Sequence, residues 1–258
     1  MYNITDIKRE EVRLWSLPYL EVLSTSLVSM CFYVSALLLV LMARKLHMIP
    51  SEVIRKTFHI TCAMSVFLLI YTSETWQIAT LISFAFIVIV YPVLTLLEHT
   101  GIYKRFLNER SKGEVKSSLI LAYVMMMILF MVYWGWGGSF WKAVIPIAIM
   151  AWGYGDAAAA LVGKRFGKHF VRVPGVDQKK TLEGTFAMAF ASAAAIFFTG
   201  WAYAVFPWYL CLLLALLVAP VCALVELVSH RGIDTLTVPL SAATAISFVI
   251  LTIRQLGG

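Results

Sequence analysis

Long apolar runs separated by short polar segments dominate this chain. They lie at roughly residues 20–42, 57–71, 76–97, 118–134, 143–162, 185–204, 207–228 and 236–253. A helix needs about 20 predominantly apolar residues to cross the hydrocarbon of a bilayer. In lipid, every backbone N–H and C=O must find a partner within the protein, which leaves helices and closed barrels. Barrel strands alternate apolar and polar residues, and these runs do not. The runs predict an all-α, polytopic membrane helix bundle of about eight (seven to nine) transmembrane helices. The run at 57–71 is short for a span. Its helix is expected to begin earlier or to share the turn at 72–75 with the next one.

Composition excludes the soluble alternatives. Apolar residues make up 61% of the 258 residues and charged residues 14%, with a mean hydropathy of +0.84. A soluble domain carries about 25% charge, and a disordered chain is far less apolar. The net charge is +7, which in a membrane protein reports topology before it suggests nucleic acid. Sixteen of the 21 Lys and Arg residues fall in segments 43–59, 98–117, 163–184 and 229–235, whereas the alternate connections hold only Lys142. These four segments are expected on the cytoplasmic face, with both termini opposite. Residues 1–19 carry Lys8, Arg9 and Arg13 balanced by Asp6, Glu10 and Glu11. With Val12, Leu14, Trp15 and Leu17 they read as an interfacial segment rather than a cleavable signal. Residues 20–258 are expected to form one membrane-embedded catalytic domain. Cys31, Cys62, Cys211 and Cys222 lie inside apolar runs without metal spacing and read as packing residues.

Ionisable residues inside spans are costly and usually functional. Asp156, in AWGYGDAAAALVGKRFGKH, lies about 9 Å inside its span at the helical rise. Small residues around it allow a helix or a ligand to come close. The segment GKRFGKHFVRVPGVDQKKTLEGT gathers Lys164, Arg165, Lys168, Lys179 and Lys180 near glycines, with Thr181 and Glu183. Cations and exposed N–H groups hold phosphates. Thr181 is a helix N-cap candidate, and Gly184 is expected to let a ligand approach that helix start. Gly163, Gly167 and Lys168 miss the P-loop spacing by one, and Gly153, Gly155 and Ala158 lack the strand of a dinucleotide fingerprint.

Glu52, Arg55, Lys56 and His59 have helical spacing and would share one face. Glu98 and Glu114 flank the next basic segment, His169 and His230 read as headgroup-level residues, and the 125–127 methionine run as packing. Glu226 follows Pro220, an expected kink. Asp234 lies just before the last run, where Pro239 suits an early helical turn. Four acids (Asp156, Glu183, Glu226, Asp234) and at least five cations thus converge on one face. Carboxylates with lysines at a Gly-rich site suit Mg²⁺-nucleotide chemistry.

The stretch GDAAAALVGKRFGK…KKTLEGT resembles the polyprenol kinase family, which includes phytol kinase, dolichol kinase and CTP-dependent diacylglycerol kinase. Gly155, Asp156, Gly163, Phe166, Gly167, Lys168, Lys179, Lys180, Thr181, Glu183 and Gly184 stand at the positions of its motif. ELVSHRGIDTLTVPL resembles its late motif, with Thr235 as a departure, EVIRKTFHI its early one, and the KGE at 112–114 a middle one. The resemblance covers roughly residues 50–253. It implies phosphorylation of a membrane lipid alcohol (phytol, polyprenol or diacylglycerol) by CTP. It also implies that Asp156, Glu183, Glu226 and Asp234 serve catalysis and Mg²⁺. Nucleotide phosphates would then meet Gly155, Gly163, Arg165, Gly167, Lys168, Lys179, Lys180, Thr181 and Gly184. CDP-diacylglycerol synthase shares this core and is the nearest alternative. It differs in a Ser-Pro before the paired lysines, where this chain has Asp177-Gln178, and in its late segment. An anion or lipid transporter is a more distant one, since its polar site belongs at the midplane between repeats.

Overall fold

The computed structural model describes residues 20, 22–36, 38, 42, 51–98, 113–173, 176–204, 206–229 and 232–256. The interfacial segment at 1–19, and with it Lys112, His230 and Arg231, lies outside them, as does the side chain of Glu114. A shorter apolar helix, α1 (Val22–Ala36), is followed by seven helices long and apolar enough to cross a membrane. These are α2 (Ser51–Thr72), α3 (Trp76–Glu98) and α4 (Glu114–Leu129), the last continued by a π-helical turn (Phe130–Trp136). A 3₁₀ turn (Trp141–Ala143) leads into α5 (Val144–Phe166), followed by α6 (Leu182–Ala202), α7 (Trp208–Val228) and α8 (Asp234–Gln255). The chain is a multi-pass membrane protein. Pro92, Pro220 and Pro239 all lie inside helices.

Several helices overrun their apolar stretches into charged sequence: α2, α5, α6 and α8 do so at the charged end of the bundle. The short run at 57–71 belongs to a helix that starts at Ser51, so it spans about 33 Å at the helical rise. Hydropathy marks where lipid contact ends, but backbone hydrogen bonding continues through charged residues once neighbouring helices hold them. Glu52, Arg55, Lys56 and His59 are therefore helical, as are Lys164, Arg165, Glu183 and Asp234.

α5 is the hub of the bundle. It packs most extensively on α6 and also against α2, α7 and α8. Val144 through Gly153 are all buried, as are Gly155 and Asp156. Small residues make this possible. A Cβ at Gly153 would stand 2.6 Å from the Cβ of Ala63 on α2, and one at Gly155 would stand 2.3 Å from the Ser192 hydroxyl on α6. Ser192 Oγ donates to the carbonyl of Ala151 at 2.8 Å, a hydrogen bond between helices in the core. α1 docks through Thr25, whose hydroxyl donates to the Thr72 carbonyl, and through Tyr33, whose hydroxyl meets that of Tyr123. None of the four cysteines is in a disulfide; Cys211 and Cys222 are buried.

The two ends of the bundle differ. One carries the start of α2, α4, α6 and α8 and the end of α3, α5 and α7, where most of the ionisable residues among those described lie. At the other, Trp76, Trp136, Trp141, Trp201 and Trp208 flank the helix ends. There Lys142 sits 3.7 Å over the Trp134 ring and Arg254 4.0 Å over that of Phe140. Such rings are typical of the membrane–water interface.

Candidate active site

The site begins with the burial of a carboxylate. Asp156, on α5, is 6% exposed, and an isolated carboxylate there would be strongly disfavoured. Its partner comes from α2. Lys56, itself 4% exposed, places Nζ 2.5 Å from Asp156 Oδ2. His59 lies one turn further along the same helix face, its Nε2 3.6 Å from the same oxygen. The His59 ring rests against Trp152 with centroids 4.7 Å apart. Trp152 is fully buried and four residues before Asp156, so it supports the histidine from the same face of α5. No motif singles out Trp152; its i−4 spacing from the buried acid is the one signal in the sequence.

A second link joins α2 to the end of α5. Glu52 pairs with Arg55 at 2.5 Å and with Lys164 at 3.5 Å. The stripe read as one helical face therefore docks along α5. Ala63 against Gly153 fixes the spacing of the two helices deeper in the bundle.

The remaining acids reach the site on α7 and α8. Lys180 Nζ lies 2.8 Å from Glu226 Oε1 and also donates to the Glu226 backbone carbonyl. Asp234, the first residue of α8, interacts electrostatically with Asp156, Lys56, Lys180 and Glu226. Five groups from four helices and the segment before α6 thus form one charge cluster: Lys56, Asp156, Lys180, Glu226 and Asp234.

Glu183 does a different job. Its carboxylate accepts the backbone N–H groups of Lys168 (3.1 Å) and His169 (3.3 Å) and pairs with His169 Nδ1 at 2.7 Å. Around it, residues 169–171 and 180–182 run as a short antiparallel pairing. Val171 N–H donates to the Lys180 carbonyl and Leu182 N–H to that of His169. Thr181 caps α6 as expected, with an extended backbone and its hydroxyl accepting from Gly184 N–H at 3.2 Å. This folded connection presents Lys168, Lys179 and Arg172 to the outside, beside Arg165 at the end of α5. Asp177 tightens the turn before the lysines by accepting the Lys179 N–H at 3.0 Å.

The motif glycines face protein. A Cβ on Gly163 would meet the Thr181 hydroxyl at 3.1 Å, and one on Gly167 the Thr181 methyl at 2.6 Å. A Cβ on Gly184 would meet the Ala159 carbonyl at 3.0 Å. Gly184, expected to admit a ligand, instead lets the start of α6 lie against α5. Glu98 pairs with Lys116, tying the end of α3 to the start of α4; Glu114 opens α4.

Among the described residues, no three or more His, Cys, Asp or Glu side chains are grouped so as to hold a metal ion. The four acids expected to share a metal are divided. Asp156, Asp234 and Glu226 belong to the charge cluster, while the Glu183 oxygens are taken up by residues 168 and 169.

The family model described as the cytidylyltransferase family matches residues 9–257. A phytol kinase from Synechocystis sp. is 41% identical over 102 residues, which cover 39% of this chain and 41% of that protein. The chain thus spans about two fifths of the length of that curated relative. No solved structure matches the chain. With the family match extending over nearly all of its length, the chain belongs to the cytidylyltransferase family, and within it is similar to the polyprenol kinases.

Proposed function

We propose that the protein is a membrane lipid-alcohol kinase that transfers the γ-phosphate of CTP, or of another nucleoside triphosphate, to an isoprenoid alcohol or diacylglycerol. The observation that carries this reading is the buried Asp156, held by Lys56 at 2.5 Å and within electrostatic reach of Asp234 at the end of the bundle where the lysines gather. The likeness to a phytol kinase supports it.

The geometry suits the chemistry. Phosphoryl transfer needs little beyond positioning and charge neutralisation. Lys168, Lys179 and Arg165 are exposed at this end, free to meet a polyphosphate. Lys180 is anchored on Glu226, which fixes the connection before α6 to α7. The hydroxyl of the acceptor would arrive sideways at headgroup level, its tail left in the bilayer. A carboxylate of the cluster would orient it and take its proton.

Mg²⁺ fits the donor set on its chemistry. Mg²⁺ is commonly bound by one or two carboxylates, with phosphate oxygens and water completing its shell. Asp156 and Asp234 would supply the carboxylates. When bound, the ion would neutralise charge on the phosphates. The charged end of the bundle would face the cytoplasm.

One observation favours a second reading. The family description names cytidylyl transfer, in which phosphatidic acid would replace the alcohol and attack the α-phosphate. The two reactions leave different products from CTP. The purified protein, given CTP labelled at either the α- or the γ-phosphate and a panel of phytol, polyprenol, diacylglycerol and phosphatidic acid, decides between them. A kinase labels lipid from the γ-position and releases CDP. Label from the α-position with release of pyrophosphate would overturn the kinase reading.

A further inference from the structure

We propose that Lys56 occupies the place of the divalent cation on Asp156, and moves to the nucleotide phosphates when metal and nucleotide bind together. The proposal rests on the nucleotide reading above and assigns a coupling device to that site.

Lys56 and Asp156 are both almost sealed from solvent, at 4% and 6% exposure, and lie 2.5 Å apart. Asp234 interacts electrostatically with both. A carboxylate is the hard oxygen donor that a divalent cation favours. Here a lysine has taken that of Asp156, with His59 Nε2 3.6 Å from the same oxygen. A metal ion arriving alone and held by both Asp156 and Asp234 would take both carboxylates from the ammonium, and a buried unpaired cation is costly. A metal ion arriving on a polyphosphate brings the acceptor for that ammonium with it. Lysine suits such an exchange, being a point charge with three donors on a flexible four-carbon stem. The same helix face is tied to α5 by the Glu52–Lys164 pair, so the stem of Lys56 pivots from a fixed base.

A lysine that is only a permanent counter-ion behaves differently. Its removal would tighten metal binding by simple electrostatics, but the nucleotide would strengthen metal binding by the same factor with or without it. Coupling between two ligands is reciprocal and measurable as that factor.

The test uses the purified full chain in nanodiscs, with free Mn²⁺ measured by electron paramagnetic resonance. Titrations run without nucleotide and with β,γ-methylene-CTP, corrected for Mn²⁺ held by the nucleotide in solution. Lys56→Gln should bind Mn²⁺ alone at least tenfold more tightly than wild type. The factor by which nucleotide strengthens Mn²⁺ binding should be at least tenfold smaller in the variant. An unchanged Mn²⁺ affinity, or an unchanged coupling factor, overturns the proposal. Should Lys56→Gln fail to fold, Lys56→Gln with Asp234→Asn keeps the net charge of the cluster, and is compared with Asp234→Asn alone under the same two criteria. Asp156→Asn should abolish the tight Mn²⁺ site of Lys56→Gln; a site that survives lies elsewhere and also overturns the proposal. These readouts need no turnover, so a failure of the kinase reading in the labelled-CTP assay is distinguishable from a failure here.

Discussion

Asp156 has a lysine for a partner, and that changes what its replacement should do. Considered as a lone acid in a span, it would cost stability, and an amide would cost less. Paired with Lys56 at 2.5 Å, it is half of a buried ion pair, and removing one half strands the other. Asp156→Asn should therefore lower stability by up to about 3 kcal/mol, the low end for breaking such a pair, since the amide oxygen still accepts from Nζ. Turnover per folded molecule should fall by roughly 10²-fold or more, because the carboxylate that would hold the neutralising metal at the reacting phosphates is gone. Thermal unfolding and turnover across a Mg²⁺ titration, on the same preparation, separate the two effects. Near-wild-type turnover per folded molecule would remove Asp156 from the active site. The paired lysines differ from each other. Lys179 is exposed, whereas Lys180 is held by Glu226. Lys179→Ala should raise the Michaelis constant for CTP with little change in stability. Lys180→Ala should raise it and also loosen the connection before α6, seen as faster proteolysis between residues 168 and 181. An unchanged Michaelis constant in both variants would make this segment a topological signal only.

At the scale of elements, close helix contact is what brings the charges together. α2 and α5 meet at Ala63 and Gly153, where an added Cβ would stand 2.6 Å from its neighbour. Ala63 offers no flexible end to move aside. Gly153→Ala should force the helices apart and cost about 1–3 kcal/mol, the range for overpacking a core. Because Lys56 and Asp156 ride on the same two helices, turnover should fall with stability. Adding Ala63→Gly should restore both, which a thermal melt and an activity assay on the double variant would check. If Ala63→Gly rescues nothing, the contact does not set the site. Thr181 works similarly at the start of α6. Its hydroxyl caps the helix, and the short antiparallel pairing around it holds Lys180 opposite Glu226.

For the whole molecule, one end is charged and the other is aromatic, and this asymmetry sets orientation. The segments 43–59, 98–117, 163–184 and 229–235 carry most of the basic residues, so the charged end should face the cytoplasm. A single cysteine at position 172, in a background lacking the native cysteines, should react with an impermeant thiol reagent only after the membrane is opened. Labelling of intact cells at that position would invert the topology. The tryptophans at the opposite end would then sit at the outer interface under the first outcome and at the inner one under the second.

Much of this was legible without coordinates. Apolar runs of span length dictated helices, because lipid offers the backbone no other partner. The motif around Asp156 and the paired lysines carried the family resemblance, and a buried acid in a span marked where to look, since ionisable residues persist there only at a cost. Thr181 declared itself as a cap by its residue type and position. Tertiary structure alone decided who meets whom. Sequence spacing could align Glu52, Lys56 and His59 on one face of α2, but not turn that face toward α5 a hundred residues later. It could count four acids, but not see that Glu183 spends its oxygens on the backbone of residues 168 and 169. It could mark the small residues around Asp156 as places of close approach, yet not say whether a ligand or a helix comes close, and at Gly184 it expected a ligand where the end of α5 lies. The physical reason is the same in each case. Local pattern fixes backbone conformation and face, whereas the pairing of buried charges depends on which faces the packing of α5 brings into contact.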